Sequence, residues 1–332
     1  MQLRPGGASA EHQRLDALVD TFAALALRPS SHRTYSSLLK QYHFFCAATG
    51  ADDAIAIDER RLCAACISFC SRRSVKSLPN FVAALQWWHT NQGFGPLPRG
   101  PIFKRVQRGL RNVFGQFDKE RPAHALSLTD LYHILPTLDL TKYDDARSWC
   151  ALLFGFYGLL RIGEYTGDSM FLRVRSVAIA DDGITLTIPW SKTDISPVNV
   201  RIAARGDLLC PVEAARHLSS FFTTPRSPDA AFFANRLDTD RAIPNQDFIG
   251  WLKGRCVAIG ISATNISGHS LRRGGTTDLF LAGVPETVIA QHGRWRSECY
   301  RRYFASTTPQ FLATQLLLTH TRNLAPLALT AS

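Results

Sequence analysis

The sequence predicts a mainly α-helical protein with one small antiparallel β-sheet, divided into two domains. In most segments the apolar residues recur every three or four positions, which is the period of a helix with one buried face. Between residues 177 and 202, three short runs rich in Val and Ile replace this period, and turn-forming residues separate them. A polar, Pro-containing stretch interrupts the helical pattern at 115–125.

This polar stretch, GQFDKERPAHA, is the best candidate for a linker between the domains. We expect a helical domain at 13–114 and a second domain at 126–322 that contains the sheet. Residues 1–12 lack periodicity, and we expect these residues and 323–332 to be flexible ends. A chain of 332 residues is long enough for two domains with separate apolar cores.

The chain has a net charge of +11, and its Lys and Arg residues are scattered through the sequence instead of forming one tail. This distribution favours a protein that closes around a polyanion, so nucleic acid is the leading partner. The alternative is that many soluble proteins are basic for no specific reason, and the charge alone does not decide between the two.

No window approaches the roughly 18 consecutive apolar residues of a membrane span, and the N-terminal segment lacks the apolar core of a signal peptide. We therefore expect no membrane partner and an intracellular protein, in the nucleus if the host is eukaryotic and otherwise in the cytoplasm. The eight Cys residues are expected to be reduced thiols. The run LCAACISFC resembles half of a metal site, but no second CxxC or HxxxH follows, and its helical spacing favours a buried core.

Apolar residues at helical spacing predict four helices early in the first domain. They cover 15–27, the segment SSHRTYSSLLKQYHFFCAATG that ends at Gly50, about 58–72 and about 77–92. The second of these helices leaves Arg33 and Lys40 on its outer face, opposite its apolar stripe. That face is a candidate for contact with phosphates.

A basic helix follows in the segment IFKRVQRGLRNVF. Its predicted buried stripe is formed by Phe103, Val106, Leu110 and Val113. The cations of the segment are Lys104, Arg105, Arg108 and Arg111, and no acidic residue accompanies them. A helix face of this kind suits the backbone of a nucleic acid, and the alternative is a face that is merely solvated.

In the second domain, a helix is predicted at 126–138 and a long apolar helix at 144–160. The long helix ends in YGLLRIGEYTG, so Arg161 directly follows an almost wholly apolar run. A cation at the end of a buried helix must be paired, and Glu164, three residues further on, is the available partner.

The predicted sheet is made of strands at 177–179, 184–188 and 198–202. Lys192 lies in the turn after the second strand, where a flexible cation could reach into a groove. Taken alone, it is an exposed turn lysine. Helices are expected again at 212–222 and 245–259.

The stretch 268–304 combines His, Arg, Trp and Tyr residues in three short helical segments. His269 and Arg272 are three residues apart at the start of the first segment, so in a helix their side chains share one face. The last segment carries Tyr300 and Tyr303. An Arg can bind two oxygens of a phosphodiester, a His can share a proton and a Tyr oxygen can attack, so this stretch is typical of a phosphate site. The alternative for an HxxR pair alone is a surface salt bridge.

These residues, taken in chain order, resemble the active-site series of the tyrosine recombinase family, the phage-integrase-type enzymes that cut and rejoin DNA. The matching positions are Arg161, Lys192, His269, Arg272, Arg294–Trp295 and Tyr303. In that family a first Arg follows an apolar helix, as in LLRIGE, a Lys lies on a turn of a small sheet, and HxxR opens a helix. The resemblance covers nearly the whole chain and implies a helical core-binding domain, a linker and a catalytic domain. The run HGRWRS is similar to mobile-element recombinases of the crypton type.

The resemblance implies that Tyr303 attacks the scissile phosphate, forming a 3′-phosphotyrosyl bond while the 5′-hydroxyl leaves. Tyr300 is the reserve candidate, because Tyr303 lies 10 residues after Gly293, which is the usual spacing in the family. The residue that fills the position between Arg272 and Tyr303 in the series is undecided. The family has a His or Trp directly after this Gly, but here Arg294 follows the Gly and Trp295 comes one residue later.

The family pattern gives the other residues their roles. Arg161 and Arg272 would bind the non-bridging oxygens, His269 would serve as proton acceptor and hydrogen-bond donor, and Lys192 would protonate the leaving oxygen. No cofactor and no metal are expected, because these cations supply the charge and the sequence offers no carboxylate cluster.

The implied partners are double-stranded DNA and three further copies of the chain, as a tetramer on paired DNA sites. The apolar stripe in 308–318, after the nucleophile, would dock either on its own domain or on a neighbouring protomer. Two alternatives stay open: a domesticated, non-cleaving DNA-binding protein of the same fold and, disfavoured for want of acidic ligands, a metal-dependent nuclease.

Overall fold

A computed structural model describes residues 11, 14–15, 18–19, 21–22, 26–27, 29–117, 124–167, 171–189 and 196–303. The chain divides into two compact units, Met1–Glu120 and Arg121–Ser332. The described residues are mainly helical with one three-stranded antiparallel sheet, which confirms the predicted fold class. None of the described helices is long and apolar enough to cross a membrane.

The described part of the first unit contains four long helices. They are α1 (Pro29–Thr49), α2 (Glu59–Cys70), α3 (Leu78–Asn91) and α4 (Pro101–Phe114). Helix α1 packs on α3, and α2 packs on α4. The thiols of Cys63, Cys66 and Cys70 are buried in the core between these helices, as the spacing of LCAACISFC predicts. Burial raises the pKa of Cys66 to about 12, so this side chain is a protonated thiol near neutral pH.

The basic helix α4 is attached to α2 at its start, where Glu59 Oε1 accepts a hydrogen bond from the backbone N–H of Phe103 at 2.9 Å. Phe103 and Leu110 are buried, as predicted. The prediction is wrong at Val113, whose side chain is 53% exposed. At 100° per residue Val113 lies roughly 80° around the helix from Phe103, which carries it off the buried face.

The second unit contains seven described α-helices and the sheet. The helices are α5 (Leu128–Ile134), α6 (Tyr143–Tyr157), α7 (Ile162–Tyr165), α8 (Pro211–Ser220), α9 (Asn245–Ala258), α10 (Ser270–Leu281) and α11 (Glu286–His292), and 3₁₀ turns include Glu298–Tyr303. The strands are β1 (Val177–Ile179), β2 (Gly183–Ile188) and β3 (Val198–Ala203), in the order β1-β2-β3. Ile184 of β2 pairs with Ile179 and Ile202 in antiparallel register. Alternate residues of β2 face the core, so the sheet covers one side of the helices.

Helix α6 is the buried centre of the second unit. Its residues are buried from Asp145 to Phe156, and it packs on α8 and α10. The buried Arg147 is held there by Asp144, which pairs with its Nη1 at 2.8 Å, and by the carbonyl of Ala234, which accepts a hydrogen bond from the same nitrogen. Helix α10 crosses α6 closely, since a Cβ at Gly275 would collide with the carbonyl oxygen of Phe156. This close crossing brings the residues at the start of α10 to the end of α6.

Candidate active site

The end of α6 sets the position of the first arginine of the series. The backbone N–H of Leu160 donates to the Gly155 carbonyl at 3.1 Å and that of Leu159 to Phe156 at 3.4 Å, which is the pattern of a Schellman motif. Leu159 takes the left-handed conformation with φ of 45°, at a position usually held by Gly. Such a conformation costs on the order of 1 kcal/mol, and the full burial of the Leu159 side chain holds it in place. The turn delivers Arg161 directly after the buried helix.

Glu164 fixes Arg161 in a defined orientation. The backbone N–H of Arg161 donates to Glu164 Oε2 and its guanidinium Nη1 donates to Oε1, both at 2.8 Å. The Glu164 side chain is only 1% exposed, whereas that of Arg161 is 25% exposed. One face of the Arg161 guanidinium therefore still reaches solvent, where a ligand can approach.

Arg272 is the most enclosed cation of the site and is 1% exposed. Its Nη1 donates to the carbonyl of Leu159, and its Nη2 donates to the carbonyl of Gly293. The Trp295 ring lies against the guanidinium, with its centroid 4.2 Å from Cζ. Burial lowers the pKa of Arg272 and repulsion from Arg161 lowers it further, yet this pKa stays far above neutrality, so the side chain remains a cation.

The end of α11 repeats the motif that ends α6. The backbone N–H groups of Arg294 and Trp295 donate to the carbonyls of Gln291 at 3.0 Å and Ala290 at 2.9 Å. Arg294 takes the left-handed position with φ of 57°. Arg294 and Leu159 are the two residues other than Gly with positive φ in the described chain, and their turns both supply a carbonyl group next to Arg272.

The side chain of Arg294 turns back toward Glu164. Its Nη2 donates to Glu164 Oε2 at 2.8 Å, and its side chain is 8% exposed. Burial favours the neutral form of Glu164, but Arg294 and the backbone and side chain of Arg161 outweigh this effect and lower the pKa of Glu164. Glu164 is therefore an anion shared by two guanidinium groups.

His269 begins α10 and is exposed to solvent. Partial desolvation of the ring lowers the pKa of His269, and the charges of Arg272 and Arg161 lower it further. Near neutral pH the ring is therefore neutral, with one nitrogen able to accept a proton and the other able to donate a hydrogen bond.

The two tyrosines of the last turn differ in their surroundings. Tyr300 is buried, and its hydroxyl donates to Glu286 Oε2 at 3.4 Å. Tyr303 is half-buried, with its ring 5.8 Å from that of Trp295 and 5.5 Å from the guanidinium carbon of Arg273. The Tyr303 hydroxyl also lies close enough to Arg272 to act on its charge. These surroundings favour Tyr303 as the reactive residue and a packing role for Tyr300.

The structure thus brings six of the predicted residues into one cluster. They are Arg161, His269, Arg272, Arg294, Trp295 and Tyr303. Lys192 lies outside the described residues, so its place relative to the cluster stays a prediction. The roles of all seven side chains likewise remain predictions.

Two contributors to the cluster were missed by sequence reasoning. Arg273 packs over the ring of Tyr303, and its signal was the second Arg of LRRGG. Gly293 has an ordinary negative φ but is required because a Cβ there would collide with the Trp295 ring. The sequence analysis used Gly293 only as the reference point for the spacing to Tyr303, and nothing in the sequence indicates its close approach to the Trp295 ring.

No group of three or more His, Cys, Asp or Glu side chains within the described ranges is placed to hold a metal ion.

The candidate DNA-binding cations of the first unit all lie on exposed positions. They are Arg33 and Lys40 on α1, and Lys104, Arg105, Arg108 and Arg111 on α4. Within the part of the chain that the structure covers, none of them forms an ion pair with an acidic side chain. Their charges are therefore available to a polyanion.

Comparison with protein-family models and with curated proteins finds no match for this sequence. Solved structures do match. The XerH site-specific recombinase bound to palindromic difH substrate, in a post-cleavage complex, is similar with a TM-score of 0.61 and 14% identity over 86% of this chain and 78% of that chain. The lambda integrase dimer bound to a COC′ core site has a TM-score of 0.58 and 12% identity over 88% of this chain and 94% of that chain. The Tn1549 transposon integrase, in complex with circular intermediate DNA, has a TM-score of 0.52 and 13% identity over 76% and 83%.

The chain therefore has the fold of the site-specific tyrosine recombinases, as the resemblance in its sequence implied. At 12–14% identity these likenesses show the fold alone. The crypton-type resemblance stays a prediction.

Proposed function

We propose that this protein is a site-specific DNA recombinase that cleaves and rejoins DNA through a 3′-phosphotyrosyl intermediate on Tyr303. The observation that carries the proposal is the clustering of three guanidinium groups next to His269 and Tyr303: Arg161 and Arg294 share the buried carboxylate of Glu164, and Arg272 lies beside them without a carboxylate partner. Burying three guanidinium groups together is costly unless an anion completes the set. A phosphodiester is an anion of the right size and geometry.

In the proposed reaction the Tyr303 oxygen attacks the scissile phosphorus, a Tyr–phosphorus bond forms, and the bond to the 5′-oxygen breaks. His269, neutral in the free protein, takes up the phenolic proton or donates to the phosphoryl group. Arg161 and Arg272 hold the non-bridging oxygens, and we propose that Lys192 protonates the 5′-oxygen as it leaves. One phosphodiester replaces another, so the bond energy is conserved and the reverse reaction rejoins DNA.

We further propose that the first unit holds the DNA by its backbone and that the second unit is the catalytic domain. The exposed cations of α1 and α4 support the first role, because contacts to phosphates position a protein on DNA without reading its sequence. The proposed partner is double-stranded DNA.

A tetramer on paired sites is the proposed assembly. Its support is an apolar cavity of about 470 Å³ in the second unit, lined by residues of α10, α11 and the end of α6, which include Phe156, Leu279, Val288 and Ile289. The apolar stripe of 308–318 lies outside the described residues. We propose that this segment of a neighbouring protomer fills the cavity, next to the helices that carry Arg272 and Arg294.

The first prediction separates the two tyrosines. Tyr303→Phe should abolish the covalent protein–DNA adduct on a nicked suicide substrate while leaving DNA affinity nearly unchanged, because it removes a nucleophilic oxygen and no charge. Tyr300→Phe is the matched control and should keep most of the activity, since the Tyr300 ring stays in its buried place and the hydrogen bond lost to Glu286 is long. The adduct is measured by denaturing gel in the presence of a metal chelator.

The other outcomes of the adduct experiment would favour a different nucleophile or a different function. An adduct that survives in Tyr303→Phe and disappears in Tyr300→Phe would reverse the assignment of the nucleophile. Binding without an adduct in the unsubstituted protein would favour the non-cleaving DNA-binding alternative. Strand cleavage that needs a metal and leaves no adduct would favour the nuclease.

A further inference from the structure

Arg294 occupies a backbone position that does not suit it. It is the left-handed residue of the Schellman motif that ends α11, with φ of 57°, and Gly is the usual residue there. An arginine at this position costs free energy relative to Gly, so a role for its side chain is the natural explanation.

The side chain of Arg294 has donors that the described protein does not use. Its Nη2 donates to Glu164, but its Nε and Nη1 are buried and have no hydrogen-bond partner in the described ranges of the chain. Buried polar groups almost always have partners, and a missing partner points to a ligand or water. With its side chain 8% exposed, Arg294 directs these donors into the site, not toward bulk solvent.

The charges of the cluster do not balance. The cluster holds three guanidinium groups, on Arg161, Arg272 and Arg294, and one carboxylate, on Glu164, which pairs with Arg161 and Arg294; their charges sum to +2. A phosphodiester in its ground state carries one negative charge. Attack by a tyrosine oxygen adds a second negative charge while the phosphorus is five-coordinate, before the leaving oxygen is protonated.

We propose that Arg294 is a third phosphate-binding guanidinium, which matches the charge of the cluster to the transition state rather than to the bound substrate. The inference rests on the proposed function and assigns the position between Arg272 and Tyr303 in the series to Arg294. Arg294 donates from Nε and Nη1 to the non-bridging oxygens as their charge grows. Interactions that strengthen in the transition state raise the rate of the chemical step and hardly change affinity.

Trp295 then has a different task. Its ring packs against the guanidinium of Arg272 and also contacts the rings of Tyr300 and Tyr303. It positions Arg272 through its π face and offers the phosphate no charge. Trp295 is therefore a positioning residue, and Arg294 is a catalytic residue.

The test uses Arg294→Gly, because Gly is the residue that the left-handed backbone prefers and the variant is expected to fold. At saturating DNA, the single-turnover rate of adduct formation should fall about 100-fold or more, as for the loss of one oxyanion donor. The dissociation constant for the same DNA should change by less than about threefold. Added methylguanidinium should restore part of the rate, and Arg294→Lys should retain more rate than Arg294→Gly. Arg296→Gly is the control, because it removes an exposed cation two residues away. Methylguanidinium should not accelerate adduct formation by this variant.

The outcomes separate this inference from the proposed function. If the unsubstituted protein forms no adduct, the proposed function fails first. If it forms an adduct and Arg294→Gly cleaves at the same rate, or loses rate and affinity in equal proportion without rescue, Arg294 is structural and the inference is wrong. Should Arg294→Gly unfold, Arg294→Asn, which also tolerates a positive φ, replaces it in the same measurements.

Discussion

The surroundings of His269 favour its neutral form. Partial burial of the ring lowers the pKa of His269 below that of a histidine in water, and the charges of Arg272 and Arg161 lower it further. The ring therefore stays neutral at pH values where an unperturbed histidine would already bind a proton. An approaching phosphate reverses this effect, since its negative charge favours the protonated ring.

This residue gives a prediction for the pH dependence of the reaction. At DNA concentrations below saturation, the rate of adduct formation should stay constant as pH falls past about 6.5, the ordinary histidine value, and decrease only at lower pH. At saturating DNA the decrease should begin at higher pH, because the bound phosphate raises the pKa of His269. The rates are measured by quenched single turnovers across the pH range. His269→Asn should be slower and lack this acid limb; the same limb in the variant would assign it to another group.

Single residues also mark where sequence reasoning succeeds and where it stops. The pairing of Arg161 with Glu164 could be predicted, because the two residues are three positions apart and one follows a buried helix. The acceptors of Arg272 could not, since the carbonyls of Leu159 and Gly293 are remote in sequence. The positive φ at Leu159 has no sequence signal either, because any prediction would place Gly at such a turn.

At the scale of elements, helix α4 joins a buried stripe to a cationic face. Phe103 and Leu110 fix the helix on the core, and Glu59 holds its first turn. The cations are thereby presented on a helix with a fixed orientation within its unit. A rigid row of this kind suits the regular spacing of phosphates along DNA.

We expect Lys104→Ala and Arg108→Ala to weaken binding to specific and to random DNA alike. Each variant should flatten the plot of log K against log salt by about one unit, because one phosphate contact and its released counterion are lost. Fluorescence anisotropy over a range of salt concentrations measures both effects. Arg216→Ala serves as the control, since Asp181 and Glu213 already neutralise this exposed guanidinium. Unchanged slopes in the α4 variants would return this helix face to a merely solvated role.

The helices and strands themselves were largely predictable, because apolar periodicity is a local property of the chain. The strands at 177–179, 184–188 and 198–202 agree closely with β1, β2 and β3. The crossing of α10 over α6 was not predictable, since it depends on a contact between Gly275 and the backbone of Phe156. Periodicity identifies a buried face but does not identify the helix against which that face packs.

At the scale of the whole molecule, the second unit carries an apolar cavity among its described residues. Its lining is mostly apolar and includes Phe156, Leu279 and Ile289. A cavity of about 470 Å³ is larger than the packing defects of an ordinary core, so it is suited to receive side chains from another segment.

Deleting residues 310–332 should leave binding to a single DNA site intact and eliminate the complex of four protomers on two sites. The physical reason is that the deletion removes the apolar stripe proposed to fill the cavity and removes none of the cations of α1 and α4. Native mass spectrometry with DNA counts the protomers. A second variant tests the cavity itself: Leu279→Asp places a charge in its lining and should cause the same loss of the four-protomer complex. A truncated protein that still assembles four protomers would show that the segment docks within its own unit.

The carbonyl groups that hold Arg272 come from the ends of α6 and α11, so this one side chain joins two helices in the core of its unit. A chain of this fold that did not cleave DNA would still be stabilised by these two hydrogen bonds of Arg272. Relatives of this protein can therefore retain Arg272 through selection on folding alone, and its retention is weak evidence of activity. His269 is exposed and Tyr303 is half-buried, so both are free to drift once cleavage is no longer selected. Substitution at these two positions, with Arg272 unchanged, is the evolutionary signature of a copy that has kept the fold and given up the reaction.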